Sequence, residues 1–176
     1  MTEFLLLSYA DLKHHKFWYW FGFPSIITES IVMTPPINIT KILDSKIIEN
    51  LKKSYGEYRK KVEINQRGFF LISKKDGSVH SLENWKNFSN EEFFISFLDP
   101  CSLNTYPGWF LRNYIIASSL TFGLKKFQIL CYREIVSKGE ISNSISLKLK
   151  SLINYYQMNL NVLVGKKIQI IKIHQE

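Results

Sequence analysis

Two adjacent histidines, His14 and His15, follow Asp11 and carry the groups best suited to metal or acid–base chemistry. Imidazole and carboxylate are common ligands of Zn²⁺, but the spacing does not follow the Glu-x-x-His or Cys-x-x-Cys patterns of metal sites. Adjacent side chains on a turn also point in different directions. The pattern therefore favours a solvated turn, and we expect no metal site.

Cys101 is a second candidate, because a cysteine can act as a nucleophile with a histidine as its base, here the distant His80 or His14. A lone cysteine beside a proline is more often a packed small side chain, and Cys101 and Cys131 are too few for a disulfide framework. We therefore expect no catalytic residue and a reduced, cytosolic setting.

Nucleotide and nucleic-acid binding have weak support in the sequence. The glycines are scattered singly, so no Gly-x-Gly-x-x-Gly loop is present to hold a phosphate. The formal net charge is +8, but only four of the 23 basic residues are arginine, the side chain that base readout favours. The aromatic run 17–23 and the lysines after Asp44 leave an alternative, a basic single-stranded nucleic-acid-binding domain. Core packing and a solvated surface are the favoured interpretation.

Residues 99–113 organise the predicted elements as a strand, a shaped loop and a helix. The apolar run 93–98 predicts the strand, and the Asp-Pro pair after it ends the run because proline cannot donate to a sheet. Pro107 suits the first turn of a helix, and the amphipathic stretch 110–122 continues that helix to Gly123.

Hydrophobic periodicity predicts that the rest of the 176-residue chain forms one α/β mixed (α+β) unit, a mixed β-sheet with a few packed helices. The predicted elements are a hairpin of strands at 4–10 and 17–21, a loop at 28–40, a helix from Asp44 with Ile47, Leu51, Tyr55 and Tyr58 on one face, a hairpin at 68–73 and 79–82, a helical turn at 83–88, and strands at 127–132 and 144–150. The apolar stretch 17–27 is shorter than the ~20 residues of a membrane span, and an acid at Glu3 argues against a secretory leader. We therefore expect a soluble protein with no membrane span.

Two long motifs are distinctive. The first comprises residues 4–13, 16–21 and Phe23-Pro24, and the second comprises Asp99-Pro100-Cys101-Ser102-Leu103, Tyr106-Pro107-Gly108-Trp109 and Leu111-Arg112-Asn113. Both resemble the N-terminal domain of the autophagy-specific ubiquitin-like modifier-activating enzymes. Weaker agreement continues through 131–133 and 144–150. The motifs have the same order and similar spacing as in the family, and the resemblance covers about residues 4–150.

The resemblance implies a mixed α/β module that recruits the autophagy conjugating enzymes. In this family a C-terminal domain binds ATP and Mg²⁺, adenylates a ubiquitin-like protein and holds it as a cysteine thioester. By the resemblance, residues 1–150 are a partial N-terminal domain, residues 151–176 are a C-terminal tail or linker remnant, and the adenylation domain is absent. We therefore expect no activity and no cofactor from this chain alone, and no catalytic role for Cys101 or Cys131.

The resemblance also suggests which residues matter. Those expected to bind partners are Trp20, Phe21, Trp109 and Arg112, and those expected to set the fold are Asp11, Pro24, Asp99, Pro100, Pro107 and Gly108. Arg112 is included because a buried or interfacial arginine needs a partner. The expected partners are autophagy conjugating enzymes and remaining segments of the activating enzyme, or a second copy of the chain if the edge of the strand at 5–10 is uncovered. The expected location is the cytoplasm, including the pre-autophagosomal structure.

Overall fold

The computed structural model describes residues 5–25, 31–89, 91–135, 139–151 and 167–173. The side chains of Leu5, of residues 20–25, of Ser151 and of residues 167–173 lie outside the described part. Two compact units are formed, one by Met1–Glu29 with Asn154–Glu176 and the other by Ser30–Ile153.

The secondary structure consists mainly of strands. In chain order the elements are β1 (Leu5–Asp11), β2 (Lys16–Ser25), β3 (Ile31–Met33), β4 (Ile37–Asn38), α1 (Ser45–Lys61), β5 (Phe69–Ser73), β6 (Val79–Ser81), β7 (Phe93–Leu98), α2 (Leu111–Phe122), β8 (Lys126–Tyr132), β9 (Ile145–Ser151) and β10 (Lys167–Ile173), with short 3₁₀ helices at Ile39–Lys41, Ile64–Gln66 and Leu82–Asn87.

The first unit contains a three-stranded sheet in the order β1-β2-β10. β1 and β2 pair antiparallel, with Leu5 opposite Gly22 and Asp11 opposite Lys16, which confirms the predicted hairpin. β10 pairs antiparallel with the other edge of β2. β10 lies within the stretch 151–176, and the β-branched isoleucines of this strand suit a sheet. The assignment of 151–176 as a C-terminal tail or linker remnant, with its boundary at residue 150, stays a prediction.

The second unit contains a seven-stranded sheet in the order β3-β9-β8-β7-β5-β6, with β4 also pairing with β9. β7 and β8 are parallel, whereas the other pairs are antiparallel. The sheet is therefore mixed, and with two packed α-helices it confirms the predicted fold class.

The prediction of a loop at 28–40 is wrong for part of that range. Residues 31–33 form β3 against β9, and residues 37–38 form β4 against the same strand. Pro35 and Pro36 separate the two short strands, because proline has no backbone N–H for a sheet. Residues 26–30 lie outside the described part.

Two apolar clusters lie on opposite faces of this sheet, because successive strand residues point to opposite faces. One cluster joins α1 to alternate residues of the central strands; its members include Leu51, Tyr55, Tyr58, Phe70, Ile72, Phe94, Leu130 and Tyr132. The other joins α2 to the residues between them and includes Leu71, Ile95, Phe97, Leu111, Tyr114, Ile115, Phe122, Ile129 and Cys131. The two helices thus cover opposite faces, and β7 and β8 lie between them.

Candidate functional site

The candidate site lies where the parallel strands β7 and β8 end. Leu98 is in register with Tyr132, so Asp99 and Arg133, which follow these strands, emerge side by side. The backbone N–H of Asp99 donates to the carbonyl oxygen of Tyr132 at 2.8 Å. The carboxyl ends of adjacent parallel strands commonly carry functional side chains.

Asp99 and Arg133 form a buried ion pair, which we call the clamp. Nε of Arg133 donates to Oδ2 of Asp99 at 3.0 Å, and Nη2 lies 2.9 Å from the same oxygen. The Asp99 side chain has no exposed area, and that of Arg133 is 4% exposed. Burying two charges costs free energy that is recovered only if the remaining donors and acceptors also find partners.

The carboxylate of Asp99 holds both ends of the following loop, residues 100–108, which we call the clamp loop. The backbone N–H of Cys101 donates to Oδ1 at 3.0 Å, and that of Gly108 donates to both carboxylate oxygens at 3.1 Å. A Cβ atom at position 108 would meet Oδ1 of Asp99, so glycine is required for this close approach.

The guanidinium of Arg133 holds the middle of the clamp loop. Nη1 donates to the carbonyl oxygen of Leu103 and Nη2 to that of Tyr106, both at 2.6 Å. The backbone of Arg133 is itself positioned by Ser144, whose buried hydroxyl accepts its N–H at 2.9 Å. The loop backbone is therefore wrapped around a single buried ion pair.

The side chains of the clamp loop point away from the core. Leu103 is 59% exposed and Tyr106 is 67% exposed, although the backbones of both are bound to Arg133. Just beyond the loop, the guanidinium of the exposed Arg112 lies 5.9 Å from the centroid of the half-buried Trp109 ring, at cation–π distance.

Helix α2 starts later than the sequence suggested. Pro107 was expected in its first turn, but the helix begins at Leu111. The N–H of Leu111 donates to the carbonyl oxygen of Gly108 at 3.1 Å, so a tight turn separates the clamp loop from the helix. The predicted C-terminal stop is confirmed, since Gly123 has φ 64° in the left-handed region.

The remaining predicted residues lie elsewhere. Asp11 accepts hydrogen bonds from the backbone N–H and the Nδ1 ring nitrogen of His14, at 3.2 and 2.8 Å. Trp20, Phe21 and Pro24 belong to β2, but their side chains lie outside the described residues. The partner-binding and fold-setting roles assigned from the resemblance stay predictions.

Sequence reasoning missed Arg133. The sequence predicts a buried or interfacial arginine at Arg112; Arg112 is exposed, and the arginine that is buried is Arg133. The available signal was a basic residue directly after an interior apolar strand, with Asp99 in the corresponding position after another strand. That signal becomes informative only when the two strands are known to be adjacent and parallel.

The buried thiol of Cys131 is poorly placed for nucleophilic chemistry. Burial raises the pKa of Cys131 far above its usual range, and the negative charge of Asp99 raises it further, so the thiolate is strongly disfavoured. The half-buried Cys101 donates from Sγ to the carbonyl oxygen of Tyr106 at 3.5 Å. Cys101 thereby adds a further contact within the clamp loop.

Within the described ranges, no three histidine, cysteine or carboxylate side chains come together as a possible metal site. The glycines of the same ranges are scattered singly and form no Gly-x-Gly-x-x-Gly motif. The expectation of no cofactor stays a prediction. None of the helices described is long and apolar enough to cross a membrane.

Comparison with known proteins gives consistent matches. Residues 1–168 match the family described as "Ubiquitin-like modifier-activating enzyme ATG7 N-terminus". The chain is 33% identical over 161 residues to the ubiquitin-like modifier-activating enzyme ATG7 of Gallus gallus, and 29% identical over 161 residues to that of Homo sapiens. Both matches cover 85% of this chain and 23% of the relative, so the chain spans about a quarter of the length of these proteins.

A solved structure shows the same fold. The crystal structure of Kluyveromyces marxianus Atg7NTD superposes with a TM-score of 0.52 and 18% sequence identity, covering 98% of this chain and 57% of that one. At this identity the likeness concerns the fold alone.

Proposed function

The chain belongs to the family of ATG7 N-terminal domains, and on that premise we propose that it is a non-catalytic protein-binding module that recruits autophagy conjugating enzymes. In this proposal it serves the transfer of ubiquitin-like proteins during autophagosome formation. The observation that carries the proposal is the family match over residues 1–168, nearly the whole chain. Under this proposal, ATP-dependent activation belongs to other parts of the longer proteins of the family.

The chemistry of the described residues supports a binding role. The buried charges of Asp99 and Arg133 are used to position a loop, and their hydrogen bonds are directed to one another and to the backbone. The thiol of Cys131 is buried, with a raised pKa, so it is unsuited to form a thioester. These features stabilise a surface and supply no reacting group.

Direct binding measurements test the proposal. The purified chain is immobilised and titrated with each autophagy conjugating enzyme of the same genome at 150 mM salt. We expect saturable binding to at least one of them, with a Kd on the order of micromolar or tighter. Absence of binding to every conjugating enzyme overturns the proposal.

A parallel titration with single-stranded DNA and RNA addresses the nucleic-acid alternative. The exposed basic face of α1 borders a surface groove of about 690 Å³, but Glu49, Glu57 and Glu134 line that groove together with the lysines. Carboxylates repel phosphates, so we expect weak nucleic-acid binding. A steep loss of nucleic-acid affinity with salt, without any binding to conjugating enzymes, would support the alternative.

The proposal extends to location. A module that recruits conjugating enzymes acts where they act, so we place the chain in the cytoplasm and at the pre-autophagosomal structure. A fluorescent fusion followed during starvation tests this placement: it should form puncta that contain the autophagy conjugation machinery. A fusion that remains in another compartment refutes the placement.

A further inference from the structure

Two exposed side chains of the clamp loop belong to residues whose backbone is bound by Arg133. Leu103 and Tyr106 each offer their carbonyl oxygen to the same buried guanidinium at 2.6 Å. The side chains of the same two residues are more than half exposed and do not join the apolar clusters of this unit. The buried charges thus immobilise two residues that contribute little to the core.

An immobilised exposed leucine and tyrosine are suited to binding. Tyrosine is among the residue types that dominate binding energy at protein interfaces, and a backbone already held in place loses little entropy on association. A loop needed only to connect β7 to α2 would gain stability by burying these two side chains instead.

The charge around the loop indicates what would bind there. The carboxylate of Asp99 is fully buried, and residues 100–108 carry no other charged side chain. Arg112, one residue inside α2, is exposed and positively charged. A partner complementary to these groups has an apolar pocket for Leu103 and Tyr106 and carboxylates opposite Arg112.

We propose that the clamp loop is the docking surface for a conjugating enzyme, with Leu103 and Tyr106 inserted into an apolar pocket of that enzyme and Arg112 facing carboxylates at its rim. Asp99 and Arg133 act as positioning residues, because they hold the loop backbone without touching the partner. This inference rests on the proposed function and locates it on the molecule.

Alanine substitution of the exposed side chains tests the inference. L103A and Y106A are each expected to weaken binding to the conjugating enzyme about tenfold, and the double variant more than either. Because both side chains are exposed, the melting temperature should stay at the wild-type value. I64A is the matched control: Ile64 is 81% exposed in the same unit but lies outside the clamp loop, so its affinity should equal that of the wild type.

Charge reversal at Arg112 tests the proposed contact with carboxylates of the conjugating enzyme. R112E should weaken binding more than R112A, because it places a carboxylate opposite the partner's carboxylates, and the loss should diminish at high salt.

The two levels of the proposal fail in different ways. If the wild type binds a conjugating enzyme and the double variant L103A/Y106A binds as tightly while remaining folded, the docking surface is elsewhere and this inference is overturned. If the wild type binds no conjugating enzyme, the proposed function fails and the docking assignment fails with it.

Discussion

Replacing Arg133 with methionine should strongly destabilise the second unit. The substitution keeps a long side chain but removes the positive charge, so the carboxylate of Asp99 stays buried without its counter-ion. It also removes the donors to the carbonyl oxygens of Leu103 and Tyr106. The backbone donors of Cys101 and Gly108 remain, but they do not neutralise the charge.

The expected cost follows from the burial of the pair. Removing one partner of a buried ion pair costs about 3–5 kcal/mol, because the remaining charge is desolvated without compensation. The released carbonyl groups belong to residues that are more than half exposed, so water can reach them and they add little. We therefore expect R133M to lower the free energy of unfolding by about 3–5 kcal/mol.

Urea unfolding, monitored by hydrogen exchange of peptides from β7 and β8, measures this cost in the second unit. With a urea dependence of about 1–3 kcal/mol per molar, the unfolding midpoint should fall by about 1 M or more. R59M is the matched control, since Arg59 pairs with Glu134 at 3.2 Å while 46% exposed. An exposed pair of this kind contributes about 0–1 kcal/mol.

The reasoning is refuted if R133M and R59M lower the free energy of unfolding by the same amount. If R133M costs less than about 1 kcal/mol, the clamp behaves like a surface pair and does not organise the loop. A double-mutant cycle with D99N distinguishes coupling from general destabilisation, because the two costs should be strongly non-additive if Asp99 and Arg133 act on each other.

Three further predictions concern single residues of the second unit. G108A should lower stability by about 1–3 kcal/mol, because the added Cβ meets the carboxylate of Asp99. G56A is the matched control: position 56 lies in open space within α1, so alanine should raise stability by up to about 1 kcal/mol. Thermal melts compare the two variants. Y132F should raise the free energy of unfolding by about 1 kcal/mol, because the buried Tyr132 hydroxyl has no hydrogen-bond partner among the described residues. Urea unfolding measures the change. If Y132F instead lowers the free energy of unfolding by more than about 1 kcal/mol, the hydroxyl has a partner that this reasoning missed. The backbone N–H of Ser78 donates to the Asp76 carboxylate and lowers the pKa of that carboxyl from 3.8 to about 2. The ionised carboxylate therefore stabilises the fold fully above about pH 4, and this stabilisation is lost as the pH falls toward 2. D76N should lower the melting temperature at about pH 5 and have less effect at about pH 2.5.

Local patterns predicted the individual elements well. The apolar run at 93–98 is β7, and the left-handed glycine at position 123 ends α2 as expected. The spacing that placed Leu51, Tyr55 and Tyr58 on one helical face is confirmed by their burial in α1. These features depend on backbone preferences and on burial of one face, both of which are written within a few neighbouring residues.

Predictions failed where pairing between distant residues overrides local preference. Residues 31–33 and 37–38 flank two prolines and look like loop, yet both segments pair with β9. Pro107 is compatible with a first helical turn, but the N–H of Gly108 is taken by Asp99, and the helix begins only at Leu111. Neither partner is a neighbour in sequence.

The sequence by itself therefore determined most of the described elements, the family resemblance and the presence of a shaped segment between β7 and α2. Only the tertiary structure decided what shapes that segment. Asp99 and Arg133 are 34 residues apart and meet because β7 and β8 are parallel neighbours. A buried charge takes whichever partner the folded chain brings within hydrogen-bonding distance, so the choice of Arg133 over the nearby Arg112 follows from strand order, which spacing along the chain does not encode.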